Sequence, residues 1–236
     1  MKLLVALILV ALVAGCTQGG GTVSEQVQFQ TLDGFEIHGT FYANPEKPGL
    51  ILLPMLGETQ SSWNQFVPYL TNDFQVLVID LRGHGKSTKQ NGQGKSWNLF
   101  LENDFKNMVF DVAAAKQFLQ QRGVTSIGIM GASIGANVAL NEVTNVDALV
   151  LLSPGLDYKG VKTLEAVKLY TKPLLIIASE DDPSSAAASR QLYNASPLSP
   201  EQKELVVMQA AGHGTAMLFK ETTNQVILSW LKNEFG

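Results

Sequence analysis

The chain has 236 residues, 45% of them hydrophobic, enough to bury a sizeable core in one substantial domain. Its 21 acidic residues against 17 basic ones give a net charge of −4 with no basic cluster, which argues against nucleic acid as a main partner. Its single cysteine, Cys16, excludes an intrachain disulfide.

The chain opens "MKLLVALILVALVAGC", one Lys followed by an apolar run too short for a membrane span and suited to the core of a signal peptide. Val13-Ala14-Gly15-Cys16 resembles a lipobox, at which a prokaryotic lipoprotein is lipidated on Cys and cut just before it. Residues 1–15 are therefore expected to be a signal peptide, and Cys16 the point of lipid attachment. Residues 16–23, rich in Gly, Thr and Ser, are expected to form a flexible tether to a single domain over 24–236. This reading places the protein outside the cytoplasm, anchored to a prokaryotic cell membrane.

"VQFQTLDGFEIHGTFYA" alternates apolar and polar residues around Asp33-Gly34, a hairpin signature. "GLILLP" (49–54) and "FQVLVID" (74–80) are continuous apolar runs, as in strands buried on both faces. Between them "SSWNQFVPYLTND" reads as a short helix limited or kinked by Pro68. Residues 81–97 read as a loop, and 98–123 as a helical pattern stopped by Gly123. "TSIGIM" is a strand, 134–144 a helix, 146–154 and 172–179 strands, with a helix over about 184–195 between the last of these and a strand at 203–209. A closing helix spans about 215–233. Alternating buried strands and helices predict an α/β fold: a mainly parallel sheet of about eight strands, helices on both faces, and the first hairpin antiparallel at one edge. In such sheets ligands bind beyond the carboxyl ends of the strands.

"GIMGASIGAN" (128–137) places Ser133 between Gly131 and Gly135 where a strand becomes a helix. A serine on so sharp a turn is held in a strained backbone, and bulk two residues to either side would collide with neighbouring elements. The turn also sets the hydroxyl at a helix N-terminus, which favours developing negative charge. A serine nucleophile needs a base, and the base an orienting acid. Of the three histidines, His38 lies in the opening hairpin and His84 in the loop after residue 80. His213, in "QAAGHGTAM", follows the last strand and so shares the carboxyl edge with Ser133. At that same edge "ASEDDPSS" offers Glu180, Asp181 and Asp182.

"DLRGHGKS" (80–87), "GASIG" (131–135), "ASEDDP" (178–183) and "AGHGTAM" (211–217), in this order and spacing, resemble the α/β-hydrolase superfamily over essentially all of 24–236. The resemblance implies a serine hydrolase of the esterase kind, with Ser133 as nucleophile, His213 as base and Asp182 as acid, Asp181 being the alternative. It makes the "RGHG" segment structural, so His84 is not the base. Relatives usually carry His-Gly after the strand at 49–54, whereas this chain has Pro54-Met55-Leu56-Gly57. Pro54 has no N–H, so the oxyanion donors implied are the backbone N–H of Leu56, with Met55 as alternative, and of Ile134. The relatives' lid segment is here only about 20 residues, enough for one short helix, so no large lid domain is expected. Trp63, Trp97 and Met217 are candidates to line the site, with packing in the core as the alternative. The expected substrate is a small ester or acyl compound, with no cofactor and no metal. Thioesterase, amidase or acyltransferase chemistry on the same triad, or a scaffold that only binds a ligand or partner, stays open.

Overall fold

The structure, a computed structural model, describes residues 24–236. The expected signal peptide (1–15), Cys16 and the tether up to residue 23 lie outside the described residues. Strands β1 (Ser24–Gln30) and β2 (Phe35–Tyr42) form an antiparallel hairpin turned by Asp33-Gly34. β3 (Gly49–Leu53), α1 (Val67–Leu70) and β4 (Gln75–Ile79) follow. A ribbon of two short strands, β5 (Lys89–Gln90) and β6 (Gln93–Gly94), precedes α2 (Glu102–Lys106) and α3 (Val109–Gln121). β7 (Ile127–Ala132) passes through Ser133 into α4 (Ile134–Asn141), and β8 (Ala148–Leu152) comes next. A second ribbon, β9 (Asp157–Tyr158) and β10 (Val161–Lys162), and the single turn α5 (Leu164–Val167) lead to β11 (Leu174–Ser179). Then come α6 (Pro183–Ala195), β12 (Lys203–Met208) and α7 (Glu221–Phe235).

The main sheet runs in the order β12-β11-β8-β7-β3-β4-β2, with β1 on the outer side of β2. Every pair from β12 to β4 is parallel, and β2 lies antiparallel to β4. The eight long strands are those expected from the sequence. The β5–β6 ribbon, hung on the first residues of β2, raises the sheet to ten. Two residues are too few for a period of two to register, which is why 81–97 reads as loop.

Alternate residues of the buried strands feed two cores. Ile51, Leu53, Leu77, Ile79, Ile129 and Leu151 pack with α3 and α4 on one face. Leu50, Leu52, Val76, Val78, Met130 and Val150 pack with Trp63, Phe66 and the apolar side of α7 on the other. Helices cover both faces and leave the carboxyl edge of the parallel strands open to loops.

Helix boundaries depart from expectation where the chain shortens its turns. A 3₁₀ turn, Gln60–Trp63, precedes α1, and Pro68 sits in the first turn of that helix, where its missing N–H has no intrahelical acceptor to lose. The pattern over 98–123 resolves into a 3₁₀ turn (Trp97–Leu99), α2 and α3, ending before Gly123 at φ 83°. Near the carboxyl end, the 3₁₀ turn Gly214–Phe219 occupies the first part of the expected closing helix.

Candidate active site

Ser133 follows the last residue of β7 and is the N-cap of α4, with φ 52° and ψ −119°. Such a backbone is strained for a residue with a Cβ, and its neighbours must be small. A Cβ on Gly131 would lie 2.3 Å from the carbonyl oxygen of Gly135. One on Gly135 would lie 2.6 Å from the carbonyl oxygens of both Leu53 and Pro54. The two glycines thus let the turn close on itself and on the end of β3. Ser133 is 7% exposed, and its N–H donates to Leu152 O at 2.8 Å, which ties the turn to the end of β8.

His213 lies beyond β12 on a loop held from two sides. Asp181 accepts from the N–H of Gly212 at 3.2 and 3.3 Å and from the hydroxyl of Ser179, which itself accepts from Ala211 N–H at 2.8 Å. These hydrogen bonds, that from Ser179 foremost, hold the Asp181 carboxyl below its ordinary range. On the other side, Gly214 N–H donates to Ser153 Oγ at 2.9 Å. Asp182, the acid the resemblance implies, caps α6 and accepts the Nδ1–H of His213 on Oδ2 at 2.6 Å. Burial raises the Asp182 carboxyl, but the hydrogen bonds from Ser185, His213 and Ser184 outweigh it and hold the group below its ordinary value. The structure therefore brings His213 to Asp182, while Asp181 braces the loop.

The segments bearing Ser133 and His213 converge. A Cβ on Gly214 would lie 3.5 Å from the Cβ of Ala132, and both segments hang on the carboxyl end of β8 and the residue after it. Among the described residues no hydrogen bond joins Ser133 Oγ to His213, and such bonds commonly tighten only when substrate is present. His213 keeps 40% of its side chain exposed, so the imidazole is open to a ligand.

Residues 48–167 match the family described as alpha/beta hydrolase fold, about half of the chain. The chain belongs to that family. Curated relatives from Mycobacterium tuberculosis and Mycobacterium bovis, both described as uncharacterized proteins, are 26% identical over 170 residues. That match covers 64% of this chain and 45% of theirs, so the chain spans about half the length of the curated relatives it matches. Among solved structures, a Pyrococcus furiosus esterase is similar at a TM-score of 0.75 and 20% identity, covering 91% of this chain and 94% of its own. An acetyl xylan esterase from Paenibacillus sp. R4 is similar at a TM-score of 0.76 and 16% identity, covering 94% and 88%. At these identities the likeness is one of fold.

The other residues singled out from the sequence fall as follows in this alpha/beta hydrolase. Leu56 and Met55 lie, half-buried, in the turn after β3, and Ile134 opens α4. Neither Leu56 nor Ile134 donates its backbone N–H to a turn or cap acceptor among the described residues, and the first N–H of a helix has no intrahelical acceptor. His84 is buried, its Nδ1 2.8 Å from Arg82 O and its ring stacked on Trp97 at 5.5 Å. Burial lowers its pKa, in keeping with a structural role. Arg82 is buried between Asp33 and Asp111 at 2.7 and 2.8 Å, which fixes the start of the "RGHG" loop. Trp63 and Met217 are fully buried in the core, whereas Trp97 lies at the rim, within 3.6 Å of a Cβ placed on Gly57.

Sequence reasoning missed three residues around His213. Ser153, fully buried at φ 50°, anchors the histidine loop. Ser185, fully buried, donates its N–H to Asp182 Oδ1 at 3.4 Å and sets its hydroxyl 3.5 Å from His213 Nδ1. Tyr158, from the β9–β10 ribbon, meets the imidazole edge to face with ring centres 6.4 Å apart. Ser185 could have been found three residues after the cap Asp182, a spacing that makes N-cap and N3 neighbours. Tyr158 carries no sequence signal, because its place depends on Asn137 of α4. That side chain accepts from Gly155 N–H at 3.0 Å and donates to Val161 O at 2.8 Å, clamping both ends of the ribbon.

Proposed function

We propose that the protein is a serine hydrolase that cleaves carboxylic esters through an acyl-enzyme on Ser133. The observation that carries this reading is the 2.6 Å hydrogen bond between His213 Nδ1 and Asp182 Oδ2, on the sheet edge that also bears the strained Ser133. Ser133 Oγ bonds to the carbonyl carbon as its proton passes to His213 Nε2. The carbonyl oxygen takes the electron pair and is held by the N–H groups of Leu56 and Ile134. Collapse breaks the bond to the leaving alcohol, which takes the proton from Nε2. Water then attacks the acyl-enzyme in the same way and releases the acid. Asp182 holds the imidazole in the tautomer that leaves Nε2 free and stabilises the imidazolium. These steps draw on side chains and backbone alone. The shared fold of the esterases from Pyrococcus furiosus and Paenibacillus supports an ester as substrate.

The segment 153–173 adds only a small ribbon and one helical turn above the sheet, which supports an open site for a small ester. Hydrolysis of p-nitrophenyl esters of increasing acyl length tests the reading. The wild type is expected to turn over the short esters, and Ser133→Ala to lose about 10⁴-fold or more in kcat. Equal rates in the two proteins would refute it. We further propose that lipid on Cys16 anchors the protein outside the cytoplasm of a prokaryotic cell. Cells fed an alkyne fatty acid should label the full-length protein but not Cys16→Ser, and equal labelling would refute the anchor.

A further inference from the structure

Beyond the triad, a line of hydroxyl groups runs from His213 into the protein. Ser185 Oγ lies 3.5 Å from His213 Nδ1, Tyr158 Oη lies 3.1 Å from Ser185 Oγ, and Ser153 O lies 3.5 Å from Tyr158 Oη. The outer contacts are long and the middle one is the closest of the three. The ends of the line set its direction. A carbonyl oxygen only accepts, so the contact with Ser153 requires the Tyr158 proton. At the other end, the 2.6 Å bond to Asp182 requires that Nδ1 carry a proton, so Ser185 cannot donate to it. One arrangement satisfies every contact: Nδ1–H faces the Ser185 oxygen, Ser185 O–H donates to Tyr158 Oη, and Tyr158 O–H donates to Ser153 O.

The hydroxyl of Ser185, which also faces the Asp182 carboxylate, is a group able to do harm. It is fully buried and rotates freely about its C–O bond. If it turned its proton toward Nδ1 it would favour the tautomer with hydrogen on Nε2, which cannot accept a proton from Ser133. We infer that Tyr158 is a positioning residue that takes the Ser185 proton, keeps Ser185 Oγ an acceptor beside Nδ1, and so supports the productive tautomer of His213 independently of Asp182. The ribbon suits this task. Lys159 and Gly160, at φ 55° and 86°, close a tight turn directly after Tyr158, and the tyrosine ring packs where a side chain on Gly155 would stand.

This inference rests on the reading of Ser133, Asp182 and His213 as a triad, but its decisive test needs no turnover. The ring nitrogens of His213 report the tautomer by ¹⁵N NMR in histidine-labelled protein, where only His38 and His84 share the spectrum. Asp182→Gly removes the carboxylate at an N-cap, where glycine is tolerated. In that variant His213 is expected to keep hydrogen on Nδ1, and adding Tyr158→Phe should shift it to Nε2. Persistence of the Nδ1–H form in the double variant would overturn the inference. A second measurement keeps Asp182 intact. The rate at which a fluorophosphonate labels Ser133 should fall about five-fold in Tyr158→Phe, the equivalent of one lost hydrogen bond. Because the damage then comes from Ser185, adding Ser185→Ala should recover part of the rate. A double variant slower than Tyr158→Phe alone would reduce Tyr158 to packing and overturn the inference. A folded wild type that takes no label would instead refute the hydrolase reading, and the tautomer experiment would still decide the role of Tyr158.

Discussion

The strain at Ser133 makes an unusual prediction about stability. Replacing an ordinary buried alanine by glycine destabilises a protein twice over. The unfolded chain gains freedom worth about 0.5–1 kcal/mol, and a buried methyl group worth about 0.8 kcal/mol is lost. At position 133 a third effect opposes both. A residue with a Cβ held at φ 52° and ψ −119° carries strain of about 1–3 kcal/mol, which glycine does not. Comparing Ser133→Ala with Ser133→Gly isolates that effect, since both variants lack the hydroxyl. The three contributions place Ser133→Gly between about 0.8 kcal/mol less stable and about 1.7 kcal/mol more stable than Ser133→Ala, whereas an unstrained turn would leave it about 1.3–1.8 kcal/mol less stable. For a domain of this size 1 kcal/mol moves Tm by about 2–4 °C. Thermal melts of the two variants at one pH, each repeated in urea, would measure the difference. A glycine variant that melts about 3–7 °C below the alanine variant would mean that the turn is unstrained and that Ser133 does not sit on a strained elbow.

Three further outcomes follow from the same geometry. Gly135→Ala forces a methyl to within 2.6 Å of the Leu53 and Pro54 carbonyls, so urea unfolding should give a loss of about 1–3 kcal/mol together with slower labelling of Ser133. Asp111→Ala strips a fully buried carboxylate, held at about 6 by burial against the pull of Arg82, from a fully buried guanidinium. It should destabilise by about 3–5 kcal/mol in the same assay, more than Asp33→Ala, because Asp33 is 22% exposed. Asp182 is lowered from its ordinary 3.8, so its stabilising contribution is full above that pH and is lost as pH falls through the folded-state value. The Tm advantage of wild type over Asp182→Asn should therefore shrink on acidification below 3.8. An advantage that grows as the pH falls below 3.8 would contradict the sign.

What the sequence made legible was the part written in burial and in short motifs. β3, β4 and β11 are buried at every position and apolar except for Gln75 and Ser179 at two of their ends, because both faces are covered, so they stand out at nearly their true length. The Ser133 turn was legible for a different reason, namely that the near approach of Leu53 and Pro54 leaves room only for glycine at 135. The break between α2 and α3 was hidden, since Phe105, Met108 and Val112 keep facing the core through the turn at Asn107–Met108 and the helical period never lapses. The residues by themselves did not divide Asp181 from Asp182, and only the resemblance favoured Asp182. Both follow β11 at the same edge, and only the path of the loop 209–213 sends one carboxylate to backbone N–H groups and the other to the imidazole. Tyr158 lay furthest out of reach, because it is brought to His213 by a ribbon whose position is set from α4.

The central claim, that Ser133 is an activated nucleophile, is tested most directly by fluorophosphonate labelling of the intact protein with the adduct located by peptide mass spectrometry. Wild type should carry the label on Ser133, and folded His213→Ala should lose nearly all of it. Folded wild-type protein that takes no label, or label on Ser133 that is indifferent to the loss of His213, would contradict the account.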